Sequence, residues 1–253
     1  MTKRITAILL SLCLLVGLLP MTTALAADGG DIGTTISVCT ASEFYTALET
    51  INNSESGVFT ISLGDDIYTK DIAEPMNGQL NVSENKTVTL LGNGHTLYIG
   101  DIGNNRFLIM VAGGTLNMGL SDGTDKLTIL GDEKYGDSRT DTLISISSGE
   151  VNMYNGVHLS NRHTTGKPGG VVCVYGGTFN MHGGEMTNSC SMVLGLGGAV
   201  GVVDGTFNMY GGRIADNNVT TASDSTKWGG AIYMEPEPDA TATPVVNIEG
   251  GVI

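Results

Sequence analysis

The sequence contains few aromatic residues, few charges and still fewer basic residues. Aromatics make up 6% of the 253 residues and charged residues 15%, with 12 Lys and Arg against 26 Asp and Glu. The resulting net charge of −14 disfavours nucleic acid, acidic polysaccharide and anionic membrane surfaces as partners, because like charges repel. The low charge content also argues against a disordered chain, and 41% hydrophobic residues can form a core.

Cysteine is scarce as well. After residue 27 the cysteines are Cys39, Cys173 and Cys190, and they form no C-x-x-C pair or Cys/His cluster, so neither a zinc site nor a dense disulfide framework is supported. Cys173 and Cys190 could pair with each other, and the sequence leaves this open. Glycine, in contrast, is abundant at 37 residues, which indicates many tight turns.

Residues 1–27 have the layout of a secretory signal peptide. Lys3 and Arg4 precede an apolar run over 7–19, and the small-residue stretch TALAA predicts cleavage near residue 26 or 27. A membrane anchor is the alternative, but the run is shorter than the roughly 20 apolar residues that span a bilayer. We therefore expect a secreted or cell-surface protein, with a net charge of −16 once Lys3 and Arg4 are removed and no transmembrane segment in the mature chain.

Nearly the same nine residues occur twice, as GGTFNMHGG at 176–184 and DGTFNMYGG at 204–212. Looser copies surround three further asparagines, so that the shared position holds Asn117, Asn152, Asn180, Asn208 and Asn247. A short apolar run (LIMV, LISI, VVCV, AVGV, AIYM) precedes each copy, and its alternate positions are always apolar. Period-two alternation predicts strands with one buried face.

A third short apolar element follows the glycine pair in the best copies. Three short strands per unit of about 28 residues predict an all-β fold, a parallel β-helix of about six coils over residues 58–253. Equivalent residues of successive coils then stack on one another, so that Phe179 lies under Phe207 and Val174 under Val202. Three other folds fit the repeats less well. Helical repeats would need apolar residues with a period of 3.6 residues and few glycines, and a β-propeller blade is longer than 28 residues. A β-sandwich would not require near-identical copies.

The repeated asparagines admit two interpretations. A row of amides could bind a ligand, but stacked amides also hydrogen-bond to one another along a solenoid axis. We predict the second, a structural ladder through Asn117, Asn152, Asn180, Asn208 and Asn247.

The N-terminal segment 28–57 contains a predicted helix. Thr40 and Glu43 form a capping-box pattern, and apolar residues then follow helical spacing on one face, at Phe44, Ala47, Leu48 and Ile51. This helix would cover the open end of the first coil, the alternative being an ordinary surface helix. At the other end, VVNIEGGVI aligns with TFNMYGGRI, so we expect a solenoid that is truncated at the C-terminus of this sequence.

The copies GGTFNMHGG, GGAVGVVDGTFNMYGGRIADNN and WGGAIYM, together with TVTLLGNGHTL, resemble the adhesin-like, right-handed parallel β-helix surface proteins of bacteria, within the pectate lyase-like fold group. The resemblance covers roughly residues 58–253 and implies a secreted or wall-attached protein. The same fold group includes polysaccharide lyases, which place calcium-binding acids beside an Arg or Lys base at consecutive coil levels.

The sequence provides no predicted catalytic constellation. Arg213 takes the place of Glu185 in the repeat, yet we identify no two coils with acid and base at matching positions, and Asp216 aligns with Thr or Ser. The acidic clusters SDGTD (121–125) and GDEKYGD (131–137) could bind Ca²⁺ but lack the spacing of a dedicated loop, so we expect solvated turns and no cofactor.

Candidate binding residues are aromatic. Tyr154, His182 and Tyr210 align as an exposed row, and Trp228 lies in a loop, where rings could stack on sugars. The sequence therefore favours a non-catalytic surface protein that attaches to glycans or to host or cell surfaces. The alternative is an extracellular polysaccharide-degrading lyase or glycosidase.

Overall fold

The chain folds as a parallel β-solenoid of about six turns, as the repeats predict. The computed structural model describes residues 22–25, 33–70, 78–99, 108–131, 142–165, 167–192, 196–220, 229–236 and 243–253. Within these ranges there is a single helix, α1 (Ala41–Asn53). The strands in chain order are β1 (Thr22–Leu25), β2 (Gly33–Val38), β3 (Gly57–Leu63), β4 (Ile67–Tyr68), β5 (Gln79–Ser83), β6 (Lys86–Leu91), β7 (Thr96–Ile99), β8 (Leu108–Met118), β9 (Leu127–Gly131), β10 (Ile144–Met153), β11 (Val157–Ser160), β12 (His163–Thr164), β13 (Val172–Val174), β14 (Thr178–Met181), β15 (Glu185–Thr187), β16 (Cys190–Ser191), β17 (Val200–Val202), β18 (Thr206–Met209), β19 (Arg213–Ala215), β20 (Asn218–Val219), β21 (Ile232–Met234) and β22 (Val245–Ile248).

Three sheets run along the solenoid axis. The first has 13 strands and contains both apolar runs of each repeat, the second has six strands (β4, β7, β9, β11, β15, β19), and the third has three (β12, β16, β20). Strand pairs between successive turns are parallel, whereas β1 pairs antiparallel with the outer edge of β2. Each turn therefore lies directly on the preceding one.

Matched residues occupy the core. Val174 is in register with Val202 and Phe179 with Phe207, as predicted. The two phenylalanine rings stack with centroids 5.2 Å apart and planes inclined by 13°, and both side chains are fully buried. Burying a large apolar side chain contributes about 1.5–3 kcal/mol, so each repeat is stabilised mainly by the copy above and below it.

The predicted helix is present as α1. The Thr40 hydroxyl accepts from the Glu43 N–H at 3.2 Å, and the Glu43 carboxylate accepts from the Thr40 N–H at 3.1 Å, which completes the capping box. Its apolar face is buried against β2 to β5, with Phe44 and Leu48 at 1% exposure or less. The helix therefore closes the N-terminal end of the core.

Two strand assignments differ from the prediction. β2 forms a rung that precedes the predicted first coil and pairs in parallel with β3; it lacks the repeat motif, so sequence periodicity could not identify it. The two apolar runs of a repeat were predicted as separate strands, but in β8 and in β10 they form one continuous strand. Where β10 pairs with β8, a register shift at Ser148 takes the place of the predicted turn.

Two strands are buried on both faces, although alternation predicts one buried face. Cys173 in β13 and Gly201 in β17 occupy equivalent positions on the outer face, and both are buried. A Cβ at Gly201 would lie 2.6 Å from Pro168, so the segment preceding β13 packs over this outer face. Cys173 and Cys190, the pair that the sequence left open, do not form a disulfide with each other.

Candidate functional site

Tyr154, His182 and Tyr210 form a stacked column on the surface, here called the aromatic ladder. Each residue follows the last methionine of β10, β14 or β18, and these methionines are in register on successive rungs. Neighbouring ring centroids are 5.1 Å apart in both steps, with planes inclined by 13° and 14°. The strand register thus brings together three side chains that the sequence separates by 28 residues.

The ladder presents ring edges to solvent. Each stacked face meets the neighbouring ring, so both faces of His182 are covered, while Tyr210 remains 43% exposed. Sugar stacking, which the sequence suggested along the whole row, is therefore limited to the outer faces of Tyr154 and Tyr210. Elsewhere the ladder offers polar edges that can hydrogen-bond.

A glycine turn follows each ring of the aromatic ladder. Gly156, Gly184 and Gly212 all adopt positive φ, at 85°, 82° and 91°. A Cβ at Gly184 would lie 2.5 Å from the Val157 carbonyl oxygen, and one at Gly212 would lie 2.5 Å from that of Gly184. Only glycine permits both the conformation and this close stacking of backbones.

An open groove of about 420 Å³ lies beyond this corner. It is lined by the glycine turns and by His158, Glu185 and Arg213, which are in register on β11, β15 and β19. We call these three residues the charged column. The aromatic ladder and the charged column therefore flank one corner of the solenoid over the same three rungs.

Arg213 interacts with two carboxylates in the charged column. Its Nη1 lies 4.0 Å from Glu185 Oε2 and its Nη2 lies 3.0 Å from Asp216 Oδ2. All three side chains are more than 40% exposed, so solvent weakens both ion pairs. The alignment of Arg213 with Glu185, which the repeat predicts, is confirmed, and it places a base and an acid at equivalent positions on adjacent rungs.

The Nε2 atom of His158, the first member of the column, lies 2.8 Å from Thr187 Oγ1. This contact holds the imidazole ring against the next rung. The sequence did not predict the alignment of His158 with Glu185, because the repeat motif is poorly preserved around β11. The pairing of β11 with β15 places the two residues in register.

Asp216 has different neighbours from those expected. The register places it beside Asn188 and Asn161 rather than Thr or Ser, and all three adopt positive φ, at 57°, 51° and 58°. Asn and Asp tolerate this conformation better than other non-glycine residues. This row therefore forms a corner of the coil.

The repeated asparagines hydrogen-bond to one another. The Nδ2 of each of the last four donates to the Oδ1 of the preceding one, with distances of 3.2 Å (Asn152 to Asn117), 3.0 Å (Asn180 to Asn152), 2.9 Å (Asn208 to Asn180) and 2.8 Å (Asn247 to Asn208). The His182 Nε2 also lies 3.4 Å from Asn152 Oδ1. The amides thus hold each other beside the aromatic ladder.

The acidic cluster at 121–125 has internal partners. Asp125 is 6% exposed and accepts from the Gly92 and Asn93 N–H groups at 3.0 and 2.8 Å. Asp122 accepts from Thr124, whose hydroxyl and N–H hydrogen bonds lower the pKa of this carboxyl. These carboxylates hold turns, and the described residues contain no group of three or more His, Cys, Asp or Glu placed to hold a metal ion.

Two other histidines lie away from the groove. His95 Nδ1 is 3.6 Å from Asp66, beside another part of the second sheet, and His163 lies in the third sheet. The candidate residue Trp228 and residues 132–137 of the second acidic cluster lie outside the described residues. Across the part of the chain that is described, no helix is long and apolar enough to cross a membrane.

Comparison with known proteins returns no match. No protein-family model, curated protein or solved structure matches this chain.

Proposed function

We propose that this protein is a secreted or surface-attached, non-catalytic β-solenoid of the adhesin type, which attaches to glycans on host or cell surfaces. The observation that carries the proposal is the aromatic ladder beside an open groove. Exposed aromatic residues are enriched at binding surfaces, where they contribute large contact areas with few rotatable bonds. The signal-peptide pattern of residues 1–27 supports an extracellular location.

The rigidity of the ladder supports a binding role. Tyr154, His182 and Tyr210 each donate a backbone hydrogen bond to the preceding rung, at 3.1, 2.9 and 2.9 Å. The stacked rings and the adjacent asparagine amides restrict side-chain rotation further. A preorganised surface loses little conformational entropy on binding, which favours affinity.

A glycan array probed with the purified chain lacking residues 1–27 tests the proposal. We expect binding to a subset of glycans, and a loss of about tenfold or more in Tyr210→Ala, equivalent to one good contact. Tyr68→Ala is the matched control, since Tyr68 is 40% exposed and stacks on Tyr98 in the second sheet, away from the groove. Absence of any glycan binding, or equal loss in both variants, would contradict the proposal.

A polysaccharide-degrading enzyme is the second candidate, and the Glu185–Arg213 pair beside the groove favours it. A carboxylate and a guanidinium on adjacent rungs could act on a bound sugar chain. The test is incubation of the purified protein with a polysaccharide panel in the presence of Ca²⁺. Reducing ends or unsaturated products that disappear in Glu185→Gln would establish this activity and replace the first proposal.

A further inference from the structure

We propose that the groove between the aromatic ladder and the charged column binds a linear, uncharged glycan that runs parallel to the solenoid axis. This inference rests on the proposed glycan-binding function and adds the location of the site, the direction of the ligand and its chemical class. The charged column (His158, Glu185 and Arg213) lines the groove and supplies the hydrogen-bonding groups, and the aromatic ladder lies on the other side of the glycine turns.

The direction follows from the repetition of the rungs. Each of three successive rungs contributes one turn with a positive-φ glycine and one polar side chain of the charged column to the lining of the groove. Rungs are about 4.8 Å apart, a step comparable in length to one sugar unit of an extended chain. A polymer along the axis therefore meets an equivalent set of groups at every rung, whereas a chain across the axis meets it once.

The chemical class follows from charge. Among the described residues that line the groove, Arg213 is the only Lys or Arg, and it already contacts Glu185 at 4.0 Å and Asp216 at 3.0 Å. One cation beside two carboxylates, on a chain with a net charge of −14, repels uronate or sialate polymers. Arg213 also partly neutralises Glu185 and Asp216, so neither carboxylate is the isolated negative charge that would attract a cationic, amine-bearing ligand.

Hydroxyl groups suit the remaining hydrogen-bonding capacity. Glu185 and Arg213 are each about half exposed, at 51% and 42%, so both keep free hydrogen-bonding positions. A carboxylate accepts from one hydroxyl while the neighbouring guanidinium donates to the next, which matches the adjacent hydroxyls of a sugar ring. The glycine turns line the groove beside these groups.

Titration calorimetry with oligosaccharides tests the inference on the chain lacking residues 1–27. The ligands are neutral linear gluco-, manno- and xylo-oligosaccharides from disaccharide to hexasaccharide, together with oligouronates and glucosamine oligomers of matched length. We expect affinity to rise with length and to level off once the three rungs are spanned. Oligouronates and glucosamine oligomers should bind at least about tenfold more weakly than neutral chains.

Variants of the charged column locate the site. Glu185→Gln and Arg213→Gln should each weaken binding of neutral oligosaccharides about tenfold. Glu49→Gln on α1 and Lys70→Gln after β4 are matched controls, because both residues are exposed and distant from the groove. Thermal melts establish that the variants are folded, as expected for half-exposed side chains.

The outcomes separate this inference from the proposed function. Loss of binding in Tyr210→Ala with full binding in Glu185→Gln and Arg213→Gln would overturn the groove site while glycan binding stands. Preference for oligouronates or glucosamine oligomers would overturn the ligand class, and affinity independent of length would overturn the axial direction. Failure to bind any glycan would refute the proposed function itself.

Discussion

At the residue scale, each inward side chain is stabilised by its counterpart on the neighbouring rung. Met181 and Met209 are in register and fully buried, and the asparagine that precedes each methionine bonds to an asparagine above or below it. Apolar residues thus remove surface from water while amides satisfy one another at the strand. The two kinds of position should differ in their tolerance of substitution.

Met209→Asp should destabilise the protein more than Asn208→Ala. The aspartate would place an unpaired charge between two rungs, which costs several kcal/mol in addition to about 2 kcal/mol of lost burial. Asn208→Ala removes one donated and one accepted bond, at 2.9 and 2.8 Å, and should cost about 1 kcal/mol. Thermal or urea melts measure both, and the reverse order would contradict the inward orientation of Met209.

Tyr45 should make stability fall at alkaline pH. Its side chain is fully buried and its hydroxyl donates to the Thr69 carbonyl oxygen at 3.3 Å; burial raises its pKa above the ordinary value of 10.0. The unfolded chain therefore loses this proton at a lower pH than the folded chain, and stability is lost as pH rises above 10.0.

Urea unfolding of the wild type and of Tyr45→Phe at increasing pH measures this effect. The free energy of unfolding of the wild type should fall relative to Tyr45→Phe above about pH 10. Other alkaline titrations are common to both proteins and cancel in the difference. A difference that is independent of pH would show that Tyr45 ionises equally in the folded and unfolded states.

At the element scale, the C-terminal end of α1 is held to the solenoid by a buried lysine side chain. The last turn of α1 contains no basic residue that could bind its free carbonyl groups. Lys86 of β6 binds these carbonyl groups. Lys86 is 4% exposed, and its Nζ donates to the Ile51 and Asn52 carbonyl oxygens at 2.9 and 3.3 Å. Burial lowers the pKa of Lys86, but the contact with the negative end of the helix dipole favours its charged form.

Gly212→Ala should be more destabilising than Gly94→Ala. Both glycines have positive φ, at 91° and 90°, and share the backbone strain of about 1 kcal/mol that a Cβ introduces. At Gly94 a Cβ would meet nothing within 4 Å, whereas at Gly212 it would lie 2.5 Å from the Gly184 carbonyl oxygen. Gly212→Ala should therefore cost at least about 1 kcal/mol more, since two stacked turns must separate.

Urea denaturation of the two variants gives this comparison directly. Equal destabilisation would mean that the conformation of the corner, rather than the close approach of successive rungs, requires glycine at Gly212.

At the scale of the whole molecule, the two ends of the described solenoid differ. The N-terminal end is covered by α1 and by the pairing of β1 with β2, and its core residues are buried. The last rung exposes apolar side chains, with Val245 at 40%, Ile248 at 54% and Val252 at 62%. Because each rung contacts only its neighbours, opening should be easiest at β22, which pairs with a rung on one side, β18.

Hydrogen exchange of this 253-residue chain should therefore be faster in β22 than in β14. Both strands carry the same motif and both donate to the preceding rung, but only β14 is covered on both sides, by β10 and β18. Mass spectrometry of peptic fragments measures the exchange rates of the two segments. Equal protection would show that the solenoid opens as one cooperative unit rather than rung by rung.

The sequence by itself predicted the solenoid, its register and its helix. Near-identical copies imply that Val174 meets Val202 and that Phe179 meets Phe207, because only stacking of equivalent positions gives every copy the same environment. The helix could also be predicted from the sequence, because the capping box at Thr40 and the apolar periodicity that follows it are local signals.

Tertiary structure alone decided what the surface presents. Mutual stacking covers the faces of His182, and the glycine corner places Glu185 and Arg213 beside a groove. The segment at Pro168 packs over Gly201, and β2 forms a rung without any motif. These features depend on the path of the chain between repeats, where contacts join residues that share no sequence pattern.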